Sequence, residues 1–244
     1  MAASPRLYRH FYPDTSRSGT LFFYGWMRRL VEPPYHALNL GAGPGDPPGL
    51  EEFAIRDMRC EGGRVVGCDP DPAVWNNAQL DHAAIMDHSS VIPFPDESFD
   101  VAYSDYVLEH VECPEAFLGE VWRVLKPGGS FFFRTPNSWH YVSLAARLMP
   151  HAMHKLLANR ARDLGADAHE PYPTFYRMNT RGVLRRLCGE AGFGKLEMIM
   201  FEGEPSYLVF NSLAFLWGAA YERAVNSTVW LCGLRANIMG RAEK

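Results

Sequence analysis

A short apolar run, His36-Ala-Leu-Asn-Leu40, ends in Gly41-Ala-Gly-Pro-Gly45. No other stretch of the chain limits its fold as much. Closely spaced glycines let the main chain turn through conformations closed to other residues. They also let a ligand approach backbone that a Cβ would shield. Asp46-Pro47-Pro48 follows, which predicts a helix from about Pro47 to Arg59 with Asp46 as N-cap and proline in its first turn. That helix start would aim free N–H groups and a positive dipole end at the turn, so a polar or anionic cofactor is expected there. The dinucleotide fingerprint places glycines at positions one, three and six. Counting from Gly41, the sixth position is Asp46. A carboxylate there repels a pyrophosphate, so a cofactor without phosphate is favoured over NAD or FAD.

An alternation continues downstream. Arg64–Cys68 reads as a second strand closed by Asp69-Pro70, followed by a helical pattern over Asp71–Leu80. Ala83–Met86 and Phe99–Ser104 read as the third and fourth strands. A long helical region covers Tyr106–Leu125, a turn Lys126-Pro-Gly-Gly129, and a fifth strand Ser130–Arg134. Strands alternating with helices through short connections predict an α/β fold with a parallel sheet covered on both faces. After Thr135 the rhythm breaks into a segment rich in proline, histidine and aromatic residues. Asn179 or Thr180 then caps a helix to Ala191. Lys195–Phe201 reads as a sixth strand, residues 205–230 as an apolar helical insertion, and Arg235–Met239 as a last short strand. Residues 1–36 form an aromatic, basic preface whose helix stops at Pro33-Pro34.

Net charge is -4, so no large positive field argues for nucleic acid. The five cysteines are odd in number and contain no CxxC pair, which fits a reducing cytoplasm better than a disulfide framework. The first residues lack the apolar core of a signal peptide. The longest uncharged run, Pro205 to Tyr221, falls short of the about 20 apolar residues of a spanning helix. That insertion is read as a helix packed on its own domain or on a twin subunit in a homodimer. A lid over an apolar acceptor and a peripheral membrane contact are the sharper readings.

Asp69 ends the second strand, where a carboxylate can accept both hydroxyls of a ribose. Asp87 ends the third, where it can accept from the exocyclic amine of adenine. With the glycine turn, three successive strand ends thus line one crevice at the carboxyl edge of the sheet. These residues resemble class I S-adenosylmethionine-dependent methyltransferases of the small-molecule, quinone and natural-product branch. Asn39–Gly45 looks like the first motif of that family and Val66–Pro70 like its second-strand motif. Ile92-Pro-Phe-Pro-Asp-Glu-Ser-Phe-Asp100 is similar to the stretch leading into its fourth strand. Val107-Leu-Glu-His110 and Arg123-Val-Leu-Lys-Pro-Gly-Gly129 complete the ordered set.

The resemblance covers about residues 36–135. It implies a Rossmann-like seven-stranded, mostly parallel sheet with helices on both faces and the last strand antiparallel. It also implies one methyltransferase domain over residues 1–244. Residues 1–35 would be a helical cap, 36–135 the cofactor-binding core, 136–178 an acceptor-side insertion and 205–230 the apolar one. Gly41, Gly43 and Gly45, with Ala42, would contact the methionine part of S-adenosylmethionine. Asp69, with Pro70, would hold the ribose. Asp87 and His88 would flank the adenine, and Ser104 would lie near the sulfonium. S-adenosylhomocysteine would be the product.

Methyl transfer from a sulfonium is an in-line displacement, in which positioning alone supplies about 7–11 kcal/mol of the barrier. A hydroxyl acceptor gains a further factor of about 10²–10⁴ from a base. His140, directly after the fifth strand, is the candidate base; its bland alternative is a hydrogen bond that fixes the loop. Tyr141, His169, Tyr172 and Tyr176 are candidate acceptor contacts. Arg147, Arg160, Arg162, Arg177 and Arg181 are read as a solvated surface or as receivers of an anionic substrate group. His151, His154, His169 and Glu170 lack a metal-site signature, so no metal is expected. Ser104-Asp-Tyr-Val lacks the D/NPPY signature of nucleic-acid methyltransferases. The expected activity is methyl transfer to a small molecule, oxygen favoured. A lipid-like or peptide acceptor, or a catalytically silent cofactor-binding subunit, are the competing readings.

Overall fold

The computed structural model describes residues 5–13, 18–86, 91–148 and 173–244. Its strands are β1 (His36–Leu40), β2 (Arg64–Asp69), β3 (His82–Ile85), β4 (Phe99–Asp105), β5 (Leu125–Pro136), β6 (Lys195–Phe201) and β7 (Asn237–Glu243). They form one sheet in the order β3-β2-β1-β4-β5-β7-β6. The pairs β1–β2, β1–β4, β2–β3 and β4–β5 are parallel. The last strand is antiparallel. The Gly128 amide donates to the Lys244 carbonyl and the Lys244 amide to the Gly129 carbonyl, both at 3.0 Å, so β7 ends where β5 begins.

The covering of both faces follows from the phenylalanines of β5. Side chains alternate along a strand, so Phe131 and Phe133 share one face and Phe132 takes the other. Phe132 meets Trp26 edge-on at 5.4 Å between centroids, under the helix Gly19–Leu30. Phe131 meets Phe117 of the helix Pro114–Val124 at 6.4 Å. All three phenylalanines are buried, as are Ala37, Leu38 and Leu40 of β1. Asn39 is the one polar residue inside β1, which is otherwise apolar from Ala37 to Leu40, as suits a strand covered on both faces.

Several elements differ from expectation. The helix after the glycine turn is only Glu51–Arg56, and Leu50 is its N-cap. The Leu50 amide donates to the Pro47 carbonyl at 3.4 Å, closing a turn through Pro48 and Gly49 with Gly49 at φ +94°, so helix cannot start until that turn is past. Asp46 therefore caps nothing. The pattern over Asp71–Leu80 becomes a 3₁₀ turn, Pro72–Asn76, capped by Asp71 accepting from the Ala73 amide at 2.8 Å. The region Tyr106–Leu125 splits because Tyr106 is left-handed at φ +58° and Pro114 starts a new helix rather than continuing one. The fifth strand extends to Leu125–Pro136 and absorbs the Lys126–Gly129 turn. The last strand lies further along, at Asn237–Glu243. The predicted cap at Thr180 is present, its hydroxyl accepting from Val183 N–H.

The chain divides into two compact units. One comprises Thr20–Thr135, Thr174–Ile199 and Ile238–Lys244 and holds most of the sheet. The other comprises Met1–Gly19, Pro136–Pro173 and Met200–Asn237. In this second unit Tyr8, Phe11 and Tyr12, from and just after the helix Pro5–Phe11, gather around Phe215 of the helix Ser212–Asn226, at 5.7, 6.0 and 6.1 Å. The aromatic preface is thus shared between the units.

Gly240 in β7 lies flat against the Phe133 ring, where an added Cβ would come within 2.1 Å of it. Overpacking of this kind costs about 1–3 kcal/mol. Gly240→Ala is expected to lower the unfolding free energy by that amount, read in urea as a lower midpoint with an unchanged slope.

Candidate active site

The glycine turn is fixed by bonds from β2 and the segment after it. Gly41, Gly43 and Gly45 take φ of +69°, +50° and +71°. The Gly41 and Ala42 amides donate to the Cys68 carbonyl at 2.8 and 3.2 Å. The Gly43 amide donates to Asp69 Oδ2 at 2.9 Å, and the Asp71 amide to Asp69 Oδ1 at 2.8 Å. Asn77 Nδ2 donates to the Ala42 and Gly43 carbonyls at 2.9 and 3.2 Å, and Gln79 Oε1 accepts from the Asp46 amide at 3.0 Å. Any side chain at position 45 would strike this clamp, since a Cβ would stand 2.3 Å from Asn77 Oδ1. At position 41 it would stand 2.4 Å from Val107 Cγ2. Asn77 and Gln79 were not singled out in the sequence. Their only signal was two amide side chains two residues apart behind the second-strand acid.

Two further strand ends carry buried polar groups. Ser104, in β4, is fully buried, and its hydroxyl oxygen finds no hydrogen-bond partner among the described residues. Next to it, Asp105 receives Arg134 of β5 in a two-point ion pair, Nε–Oδ1 and Nη2–Oδ2 both at 2.6 Å. Tyr106 lies under the Arg134 guanidinium at 4.6 Å. Glu109, in the 3₁₀ turn Leu108–His110 that follows β4, is also buried. Its carboxyl accepts from the Thr135 hydroxyl at 3.2 Å, and Asn179 donates to Thr135 Oγ1 at 2.6 Å. Burial pushes the Glu109 carboxyl up to about 7 against the opposing bonds. The Tyr176 amide donates to the Glu109 carbonyl at 3.1 Å, which places that candidate contact in the same unit.

Residues 38–133 match a family described as a methyltransferase domain. Those residues carry a methyltransferase domain. The chain is 33% identical over 113 residues to the ubiquinone/menaquinone biosynthesis C-methyltransferase UbiE of Chromobacterium violaceum, covering 43% of this chain and 44% of that one. It is 30% identical over 127 residues to the sterol 4-C-methyltransferase strm-1 of Caenorhabditis elegans, covering 45% and 36%. The chain thus spans well under half the length of these curated relatives. Its fold also resembles the Haemonchus contortus phosphoethanolamine N-methyltransferase 2 in complex with S-adenosyl-L-methionine. That structure has a TM-score of 0.55 at 16% identity, covering 97% of this chain and 56% of that one.

The groups around the glycine turn would fit S-adenosylmethionine. Each Asp69 oxygen takes one main-chain N–H and keeps a second lone pair for a sugar hydroxyl. The glycine cradle leaves backbone open, the Ser104 hydroxyl is unspent, and the Asp46 carboxylate disfavours a phosphate. Asp87 and His88, assigned to the adenine, lie outside the described residues, as do His169, Tyr172, His151 and His154.

His140 belongs to the other unit. It is buried beside Glu202, with Nε2 3.5 Å from Oε2, while its Nδ1 accepts from the Val142 amide at 3.4 Å. Burial pushes the imidazole down to about 4, so it is neutral at pH 7. Burial and the nearby Glu222 push Glu202 up to about 7, against the Ala236 amide at 2.7 Å and Arg235. The Tyr141 and Tyr207 hydroxyls hydrogen-bond each other, and Tyr141 packs edge-on against Trp217 at 4.6 Å and Tyr221 at 4.7 Å. The structure thus brings His140 and Tyr141 together and adds Glu202, which sequence reasoning did not single out.

Asp69→Ala is expected to weaken S-adenosylmethionine binding at least about tenfold in calorimetry, through loss of charge-assisted bonds to the sugar and of the Gly43 tether. Unchanged affinity would mean that the sugar is held elsewhere.

The His140–Glu202 pair makes opposite contributions to stability against pH. His140 is ordinarily near 6.5 and sits at about 4, so its contribution is present above pH 6.5 and lost as pH falls through 4. Glu202 is ordinarily near 4.5 and sits at about 7, so its contribution is present below pH 4.5 and lost as pH rises through 7. Between these limits the slopes offset. With only the Glu202 slope left, His140→Asn should lose stability as pH rises from 4.5 to 7. Glu202→Gln should gain it from 4 to 6.5. Each slope is bounded by about 1.4 kcal/mol per pH unit. Urea unfolding at stepped pH reads both, and identical profiles for all three proteins would refute the pairing.

Proposed function

We propose that this chain moves the methyl group of S-adenosylmethionine to a small-molecule acceptor, oxygen being the favoured atom. The observation that carries the reading is the Asp69 carboxylate bonded to the glycine turn with lone pairs to spare. The cofactor, when bound, supplies an electrophilic methyl on sulfur. The chain's own part is to hold the sugar through Asp69, to seat the methionine part against Gly41–Gly45 and to present Ser104 near the sulfonium.

The acceptor must also give up a proton. Glu109 is the best-suited acceptor of it, because a buried carboxyl that titrates near the working pH is an effective base. It follows β4, and Thr135 ends β5, both at the carboxyl edge that carries Asp69. His140 is the second candidate base, with Tyr141 and Tyr176 as acceptor contacts. A carbon acceptor is the second reading. It is favoured by the names of the two curated relatives, both C-methyltransferases, and it requires proton loss as well.

The test is S-adenosylhomocysteine release across a panel of phenols, quinols and sterols, with the new methyl assigned to oxygen or carbon by NMR. Binding without release on any acceptor would favour a silent cofactor-binding subunit. Glu109→Gln is expected to lower kcat about 10²-fold or more, with cofactor affinity unchanged. In the unmodified enzyme kcat should rise as pH climbs through about 7, where Glu109 ionises, and the variant should lose that limb. A limb near pH 4 instead would assign the base to His140.

A further inference from the structure

The helix Ser212–Asn226 is apolar on two sides and buries its one acid. A surface helix ordinarily turns its apolar stripe inward and its charges to water. Here the inward side is Phe215, Gly218, Ala219, Glu222 and Val225, and the glutamate is fully buried. Glu222 is held there by Asn226 Nδ2 at 2.8 Å and by the Tyr12 hydroxyl at 3.3 Å. The outward side carries Leu213, Leu216 and Trp217 at i, i+3 and i+4, continued by Ala220 and Ala224. Leu213 is 77% and Trp217 53% exposed. The turn Val229–Leu234 beyond it presents Val229 at 78% and Trp230 at 91%. Large apolar side chains so exposed along one helix and the next turn mark a contact surface rather than scattered surface residues.

We propose that this face docks on an anionic lipid surface. Charge selects that occupant. Within the second unit, from Pro205 to Asn237, the sequence contains one acid, the buried Glu222, and two arginines, 223 and 235. The insertion therefore shows water no carboxylate, although the chain as a whole carries -4. A second copy meeting the same patch about a two-fold axis would set like charges against like. A phospholipid headgroup layer offers the opposite charge. Tryptophan suits the boundary between headgroups and acyl chains, because its ring is apolar and its N–H is polar. No described helix is long and apolar enough to cross a membrane, so the contact is one of lying on the surface. This reading stands apart from the identity of the acceptor.

The experiment floats the purified full chain with vesicles of phosphatidylcholine alone or mixed with phosphatidylglycerol. Tryptophan emission is followed with acyl-brominated lipid as quencher. The expected result is flotation with the mixed vesicles, weakened by salt, with emission shifted to the blue and quenched. Leu213→Ser combined with Trp230→Ser should cut partitioning at least about tenfold. Both positions face water, so circular dichroism, thermal midpoint and methyl transfer should stay as they were. Absence of flotation on either vesicle at low salt would overturn the proposal. So would equal partitioning of the double variant, or a dimer in light scattering that the double variant turns into a monomer, since a second copy would then own the face.

Discussion

One carboxylate receiving two main-chain amides holds the glycine turn of this protein in place. Asp69 ends β2 and ties Gly43 to that strand, while its other oxygen orders Asp71. Asn77 fastens the carbonyls of the same glycine turn. A glycine-rich loop free in water would lose much conformational entropy on ordering, on the order of 1–2 kcal/mol per residue. Here that ordering is completed within the folded chain, before any ligand arrives. The clamp closes only because positions 41 and 45 lack side chains. Conformational freedom in the unfolded chain thus becomes a rigid, open edge in the folded one.

The buried charges of the same unit fall into two kinds, and the difference separates scaffold from chemistry. Asp105 and Arg134 satisfy each other at two points, with Thr20 Oγ1 a further acceptor at 3.2 Å. Such a pair has its hydrogen-bonding capacity turned inward, and removing one partner would strand the other charge. Glu109 has a hydroxyl from Thr135 and no cation in bonding distance among the described residues. It must either hold a proton or bear a poorly compensated charge, and near neutrality these alternatives are balanced. Groups balanced in this way are the ones that can exchange protons with a substrate.

How much of this was legible depends on how local each signal is. The strands β1, β2, β4 and β6 announce themselves by apolar runs that abut glycine, aspartate or proline, and each was placed to within about two residues. The meeting of Gly41, Gly43, Gly45 and Asp69 in one turn was legible because it follows from backbone freedom and from position at a strand end. Helix lengths were not. Pro47-Pro48 suited the start of a helix, but the glycine that follows them delays it. Tyr106 carries no sign in its residue type that it must be left-handed. Asn77, Gln79 and the His140–Glu202 pair were illegible for a different reason. Their meaning lies in partners brought near by sheet order or by packing, and an amide or a glutamate in isolation looks like any surface residue.

The comparison of His140 with Glu109 shows why residue type misleads where burial is strong. In water histidine is the natural base near neutrality and glutamate is too weak. Burial disfavours whichever form is charged, so it lowers an imidazole and raises a carboxyl. The two cross over here: the histidine sits at about 4 and the glutamate at about 7. A base three pH units weaker suffers roughly a thousandfold in proton affinity, which outweighs the convenience of always being deprotonated. The histidine after β5 draws attention in the sequence because its ordinary titration lies at neutral pH. In the folded chain that property has passed to a carboxyl, and His140 is left suited to donating its Nε2 proton toward Glu202.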